Sequence, residues 1–227
     1  EILISGTLRF ITQNNAHTYY IYRGKPVGFE YDLASAFARY LGVELEVVTS
    51  PWSRMFTDLG EGRGHLIGAS LTATPERRSH LAFSDGYMVV QQEVIAHASN
   101  YGVRDLTELV GARIHVRAGT SYEQRLRELQ SGGLDMELVV EEDVPTEELI
   151  REVAEEEIAL TVADSNIALL NRRYYPDAGI AFSISAPQLI AWAVEPGDRA
   201  LLQEINRFLT SIRESGAFQR IHDRYYD

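Results

Sequence analysis

The sequence predicts an α/β fold of two lobes joined by two crossings of the chain. Three observations point to it. Apolar periodicity switches repeatedly between two and about 3.6 residues, the signature of strands alternating with helices around largely parallel sheets. The alternation runs through one βαβαβ set and then starts again. Two long apolar runs, residues 87–97 and 189–194, then fit paired strands that make a stiff hinge, because no linker rich in Pro, Gly or Ser separates the sets. The expected division is residues 1–91 with 188–227 for lobe 1 and 92–187 for lobe 2, with a ligand cleft between the lobes.

The elements follow in order. Leu8, Phe10 and Thr12 fit a first strand. Leu33, Ala34, Phe37, Ala38 and Leu41 line one face of a helix that Gly42 is placed to end. Val43, Leu45 and Val47 alternate with Glu44 and Glu46 as the next strand. A short helix over residues 52–59, a glycine-rich turn and a buried strand over 65–70 come next, and Thr74-Pro75 supplies an N-cap and a proline at the first helical position. In the second set Ile114 and Val116 make a strand, and Ser121 with Gln124 fits a capping box ahead of Tyr122, Leu126 and Leu129. Met136, Leu138 and Val140 are strand-like, Leu149, Ile150 and Val153 helix-like, and residues 158–162 strand-like. Asp164 or Ser165 caps a helix through Leu170. After Ile180, Phe182, Ile184 and the second long run comes an amphipathic helix bearing Leu202, Ile205, Leu209 and Ile212, which Gly216 stops.

Composition narrows the function. The chain has 227 residues, 45% of them hydrophobic, and 21 Lys plus Arg against 33 Asp plus Glu give a net charge of −12. That apolar content excludes disorder, and no stretch approaches the roughly 20 apolar residues that span a bilayer. The acidic balance, with no basic stripe, argues against nucleic acid or an anionic membrane surface as partner. The absence of Cys excludes disulfides, thiolate metal sites and cysteine nucleophiles and leaves the compartment open. The six His show no metal-ligand spacing, and no nucleophile elbow, P-loop or dinucleotide fingerprint is present, so neither a metal nor a cofactor is expected. No basic-then-apolar leader precedes Glu1, so any signal peptide is expected to have been removed or never to have been there.

Ligands of open α/β sheets sit beyond the carboxyl ends of the strands, where two helix starts fall. Around the first, Gly68, Ala69 and Ser70 expose backbone groups, Thr72 offers a hydroxyl and Arg77 a planar fork matched to a carboxylate. At the second, Gly119, Thr120 and Ser121 present backbone N–H groups that attract an anion. Periodicity leaves Arg77 a second reading, a surface residue in the first turn of a helix. Asp164 is at least an N-cap. Opposite Arg77 in a cleft it would receive an ammonium, and the pair would recognise both ends of a zwitterion. Tyr19, Tyr20, Tyr22 and Trp52 fall in or beside loops where an aromatic face encloses an apolar side chain, or equally packs as core or rim.

Three segments together go beyond generic α/β: Gly28-Phe29-Glu30-Tyr31-Asp32-Leu33-Ala34, then Thr72-Ala73-Thr74-Pro75-Glu76-Arg77-Arg78 leading to Phe83-Ser84-Asp85-Gly86-Tyr87, then Gly119-Thr120-Ser121. In this order they resemble the family 3 extracellular solute-binding proteins, periplasmic receptors for polar amino acids, over essentially the whole chain. The resemblance implies a type II periplasmic-binding-protein-like fold that closes on its ligand without chemistry. It also implies that Arg77 grips the α-carboxylate with help from Thr72, Gly119 and Thr120, that Asp164 takes the α-ammonium, and that aromatics near Tyr19 and Trp52 cover the side chain. The implied location is periplasmic or extracellular, the implied state a monomer, and the implied partners a small amino acid or peptide and either an ABC transporter permease or a fused catalytic domain.

A narrower likeness rests on residues 14–22, Gln91-Gln92, Thr161-Val162-Ala163-Asp164-Ser165-Asn166 and Arg173-Tyr174-Tyr175-Pro176. These are similar to the non-catalytic N-terminal domain of membrane-bound lytic transglycosylases of the F type. No glycan-cleaving domain follows before Asp227, so an isolated regulatory domain or a free-standing binding protein is expected. The loop Asn14-Asn15-Ala16-His17-Thr18-Tyr19-Tyr20 departs from the proline- and phenylalanine-rich loop common in the receptors, which leaves the covering aromatic open. The enzymatic alternative, a cyclohexadienyl-dehydratase-like activity on this scaffold, would need a cleft acid, for which His17 and Glu93 are the candidates.

Overall fold

The computed structural model describes residues 1–100 and 102–226. It divides into two compact units, one formed by Glu1–Val89 with Leu189–Asp227 and the other by Val90–Gln188. The chain passes between them twice, along the strands Met88–Val90 and Gln188–Ile190, which form a two-stranded ribbon.

The first unit is built on a five-stranded sheet. Its order is Glu44–Thr49, Thr7–Thr12, Leu66–Ile67, Ala193–Val194 and Ala82–Phe83. The first three strands are parallel, in the register Phe10↔Val47 and Phe10↔Leu66. Ala193–Val194 runs antiparallel to both of its neighbours, so the sheet is mixed rather than largely parallel. Leu8, Phe10 and Ile11 are all fully buried, because side chains from both faces of a central strand meet packed layers. Glu44–Thr49 lies at the edge and keeps the expected alternation, with Glu44 and Glu46 exposed.

The helix Phe29–Leu41 buries Phe29, Glu30, Leu33, Ala34, Phe37 and Ala38 and ends at Gly42, which adopts the left-handed conformation a C-cap requires. Trp192 is fully buried, with its ring centroid 6.0 Å from Phe10, 5.7 Å from Phe37 and 6.3 Å from Phe208. Phe208 belongs to the amphipathic helix Arg199–Glu214, whose buried stripe is Leu201, Ile205, Phe208, Leu209 and Ile212. The helix is therefore turned slightly from the expected phase, with Leu201 rather than Leu202 inside. The helix Ala217–Tyr226 follows and packs Tyr225 and Tyr226 on Phe29.

The second unit has a mixed sheet in the order Glu137–Glu141, Arg113–Arg117, Leu160–Asp164, Gln92–His97 and Ala178–Ser183. The first three strands are parallel and the last two antiparallel to their neighbours. Separate apolar layers cover its two faces. One holds Ile114, Val116, Tyr122, Leu126, Leu160 and Val162, the other Ile95, Ile150, Val153, Ala163 and Ile167.

Three expected elements are interrupted. The run 87–97 breaks at Gln91, whose backbone N–H and carbonyl bond to Ser165 instead of a neighbouring strand. The strand expected over 65–70 is only Leu66–Ile67, because Ser70 turns to φ 54°. The helix expected over 52–59 is a 3₁₀ turn, Trp52–Arg54, that leads into the helix Met55–Gly60.

Candidate functional site

In the first unit the chain leaves the parallel strand Leu66–Ile67 into residues 68–74 and then the short helix Pro75–Arg78. Thr74 caps that helix by accepting from the Arg77 N–H, with Pro75 at the first helical position as the sequence predicts. Arg77 is half-buried between exposed neighbours. Its Nη1 donates to the carbonyl of Thr72 at 2.9 Å, and its guanidinium lies 5.6 Å from the centroid of Trp52 and 5.8 Å from that of Phe56. Each such cation–π contact contributes about 0.5–1 kcal/mol when partly exposed. Together they hold the fork against the segment that follows the strand Leu66–Ile67. Ser70 and Thr72 are buried in the same segment, and Thr72 is bridged to Ile190.

Of the expected aromatics, Trp52 is therefore packed against Arg77. Tyr19 packs on Tyr31, with ring centroids 5.6 Å apart, and Tyr20 begins a two-stranded hairpin, Tyr20–Tyr22 with Lys25–Val27. His17 is buried in the same loop, and its N–H donates to the Asn15 side chain at 3.2 Å.

In the second unit Thr120 rather than Ser121 caps the helix Ser121–Ser131, accepting from the Glu123 N–H. The Glu123 carboxylate reaches back to the Gly119 N–H at 2.6 Å, one residue before the cap, so a pair resembling a capping box forms one residue earlier than the sequence reading placed it. Gly119 has φ 72°, which favours glycine, and Thr120 and Ser121 are buried. Asp164 ends the strand Leu160–Asp164 and is 2% exposed. It stands at the N-cap of the helix Ser165–Asn171 without a side-chain cap bond, so capping does not account for its carboxylate. Burial, and then the negative charge of Asp164, hold the Tyr122 phenol well above its ordinary value. The Tyr122 hydroxyl bonds to that of Thr146. Glu93, in this unit, accepts from the Ser183 hydroxyl at 2.7 Å, whereas His17 belongs to the first unit.

Sequence reasoning missed one group. Glu30 is 1% exposed and accepts from the backbone N–H of Ser70 and the indole Nε1–H of Trp192, each at 2.8 Å, and from the Tyr87 hydroxyl. The available signal was its position next to Phe29 within the buried stripe of a helix, where a carboxylate needs several donors.

Among the described residues no group of three or more His, Cys, Asp or Glu is placed to hold a metal ion, and no helix is long and apolar enough to cross a membrane.

Two mixed α/β units linked by two crossing strands, with polar segments at the carboxyl ends of their parallel strands, define a two-lobe periplasmic-binding-protein fold. The chain belongs to the bacterial extracellular solute-binding proteins, family 3, which it matches over residues 8–227. It is 52% identical over 221 residues to the membrane-bound lytic murein transglycosylase F of Desulfosudis oleivorans, covering 97% of this chain and 49% of that protein. To the protein of that name from Pseudomonas putida it is 38% identical over 224 residues, covering 97% and 46%. The chain thus spans about half the length of these curated relatives. Among solved structures, it is similar to an ancestral amino acid-binding protein described as a precursor of cyclohexadienyl dehydratase, at 25% identity and a TM-score of 0.88, covering 100% of this chain and 97% of that one. An ancestral arginine-binding protein bound to arginine matches at 26% identity and a TM-score of 0.88, covering 98% and 99%.

Proposed function

We propose that this chain binds an amino acid or small peptide-like zwitterion without chemistry, closing its two lobes about the ligand, as the regulatory module of a larger periplasmic or extracellular protein. The observation that carries the reading is the seating of Arg77 on Trp52, Phe56 and the Thr72 carbonyl. A guanidinium held at a fixed angle by its own neighbours is prepared to take a carboxylate through two parallel N–H bonds. Ser70, Thr72 and the Gly119-Thr120-Ser121 turn add polar groups to the carboxylate, and Asp164 receives the ammonium. Trp52 is the aromatic best placed to cover the ligand, with Tyr19 and Tyr20 at its rim. Ligand charge would then be divided between the two lobes, so closure is driven by contacts that exist only when both engage.

The half-length match to transglycosylases favours a module fused to a catalytic domain over a receptor for an ABC transporter permease. Thermal unfolding of the ligand-free protein against the common amino acids, short peptides and muropeptides tests the proposal. A ligand at 100 times its dissociation constant stabilises the folded state by about 2.7 kcal/mol. An upward shift confined to zwitterions supports the reading, and no shift with any of them contradicts it.

A further inference from the structure

We infer that Glu30 is a positioning residue, whose carboxylate fastens the Ser70–Thr72 segment and the first-unit ends of both crossing strands to one helix. The inference rests on the reading of residues 70–72 as part of the ligand site.

Three donors separated widely in sequence converge on this one carboxylate. Oε1 accepts from the Ser70 N–H at 2.8 Å and from the Tyr87 hydroxyl, and Oε2 accepts from Trp192 Nε1 at 2.8 Å. Tyr87 immediately precedes the crossing strand Met88–Val90, and Trp192 follows the crossing strand Gln188–Ile190 by two positions. The segment also lies along the returning strand, because the Ala73 N–H donates to Leu189, the Ala191 N–H to Leu71 and the Tyr87 N–H to Ile190. Ser70 is held at φ 54°, a left-handed conformation that costs a residue other than glycine on the order of 1 kcal/mol or more. Gly68 permits the close approach, since a Cβ there would stand 2.6 Å from Trp192 Nε1.

An acceptor-only group suits this position. A glutamine would turn an NH₂ toward the N–H of Ser70 or the N–H of Trp192, and neither can become an acceptor. Of the three partners only the Tyr87 hydroxyl can reverse, so a proton on Glu30 has to be directed to Tyr87. Burial raises the affinity of Glu30 for that proton, while the bonds from Tyr87, Trp192 and Ser70 and the charge of His17 oppose it. The groups that face the site are thus His17 from the loop after the first strand and Tyr87, itself held protonated by burial and by Glu30, with Tyr226 beyond it.

The test uses the whole ligand-free chain. Two-dimensional ¹H–¹⁵N spectra follow the Ser70 amide and the Trp192 indole N–H from about pH 4 to about pH 8. The inference predicts that both signals shift with one common midpoint above the ordinary 4.5 of a glutamate. In Glu30→Gln both titrations disappear, and exchange accelerates at least about tenfold at whichever of the Ser70 amide and the Trp192 indole N–H the new NH₂ faces, the loss of one hydrogen bond to a charged acceptor, while amides of the second unit are unchanged. Tyr87→Phe keeps the Ser70 and Trp192 bonds, so exchange at Ser70 stays within about threefold of wild type. Separate midpoints for the two signals, or unaltered exchange at both Ser70 and Trp192 in Glu30→Gln, overturn the inference. Titration with L-arginine and L-glutamine then separates it from the functional reading. If wild type binds one of them, Glu30→Gln weakens that binding at least about tenfold, and equal affinity overturns the inference. If wild type binds neither, the result counts against the proposed ligand class, and the spectra alone decide the role of Glu30.

Discussion

Nη1 of Arg77 donates to the carbonyl oxygen of Thr72 at 2.9 Å, which ties the cation to the segment before its own helix across only five residues of chain. The Trp52 and Phe56 rings complete the seat. Arg77 is thus held in one orientation by its own neighbours, and under the proposed function this lowers the ordering cost of binding.

Replacing Arg77 with Lys should not preserve affinity, although it preserves charge. An ammonium is a point donor that cannot match a carboxylate at two atoms. Arg77→Lys and Arg77→Ala should both lose about 2–5 kcal/mol of ligand binding, with Ala the worse. Because Arg77→Ala also removes the contacts with Trp52 and Phe56, it should cost folding stability about 1–2 kcal/mol, less than the loss of binding. Titration calorimetry paired with urea unfolding checks both halves of the expectation.

Gly28→Ala should be severe. Gly28 has φ 134°, and a Cβ there would come within 2.2 Å of the Thr18 carbonyl oxygen. The backbone conformation alone costs about 1–3 kcal/mol for a residue with a side chain, and the contact adds to it. The change would also disturb the start of the helix Phe29–Leu41, where the Gly28 N–H donates to the Tyr225 hydroxyl and that hydroxyl donates to Asp32. A loss of at least about 3 kcal/mol in urea unfolding is expected.

Asp58 gives the first unit a pH dependence of defined sign. It accepts from the Ser50 hydroxyl at 2.6 Å and lies 3.3 Å from Arg54 and 3.4 Å from Arg63. The Ser50 hydrogen bond, aided by Arg54 and Arg63, holds its carboxyl below the ordinary 3.8. A depressed native value means that its stabilisation is fully present above pH 3.8 and fades as pH falls through the native value. The stability gap between wild type and Asp58→Asn should therefore be constant near neutrality and close in acid. A gap that widens as pH falls would contradict the assignment.

Local signals were legible in the sequence, and long-range ones were not. The C-cap at Gly42 and the Thr74-Pro75 helix start are set by their own backbone preferences, and both stand where the pattern placed them. The α/β class followed from periodicity for the same reason. The break at Gln91 was invisible because it depends on bonds to Ser165, seventy-four residues away. Antiparallel strands in otherwise parallel sheets read as apolar runs like any other, since periodicity carries no direction. The capping box was misplaced by one because Thr120 and Ser121 both offer a hydroxyl, and the choice falls to the residue three positions before Glu123. Glu30 was overlooked because its meaning lies in Ser70, Tyr87 and Trp192, brought together only by folding.

Whether one molecule is held by both its charged ends is read most directly by altering the ligand rather than the protein. The measurement is calorimetric titration of wild type with the amino acid that most raises its unfolding temperature, alongside the N-acetylated and the C-amidated forms of that amino acid. Each modified form should bind weaker by about 2–5 kcal/mol, because each leaves the charge of Asp164 or of Arg77 facing a neutral amide in place of its counter-ion. Equal affinity for the free and the blocked forms would contradict this hold at both ends.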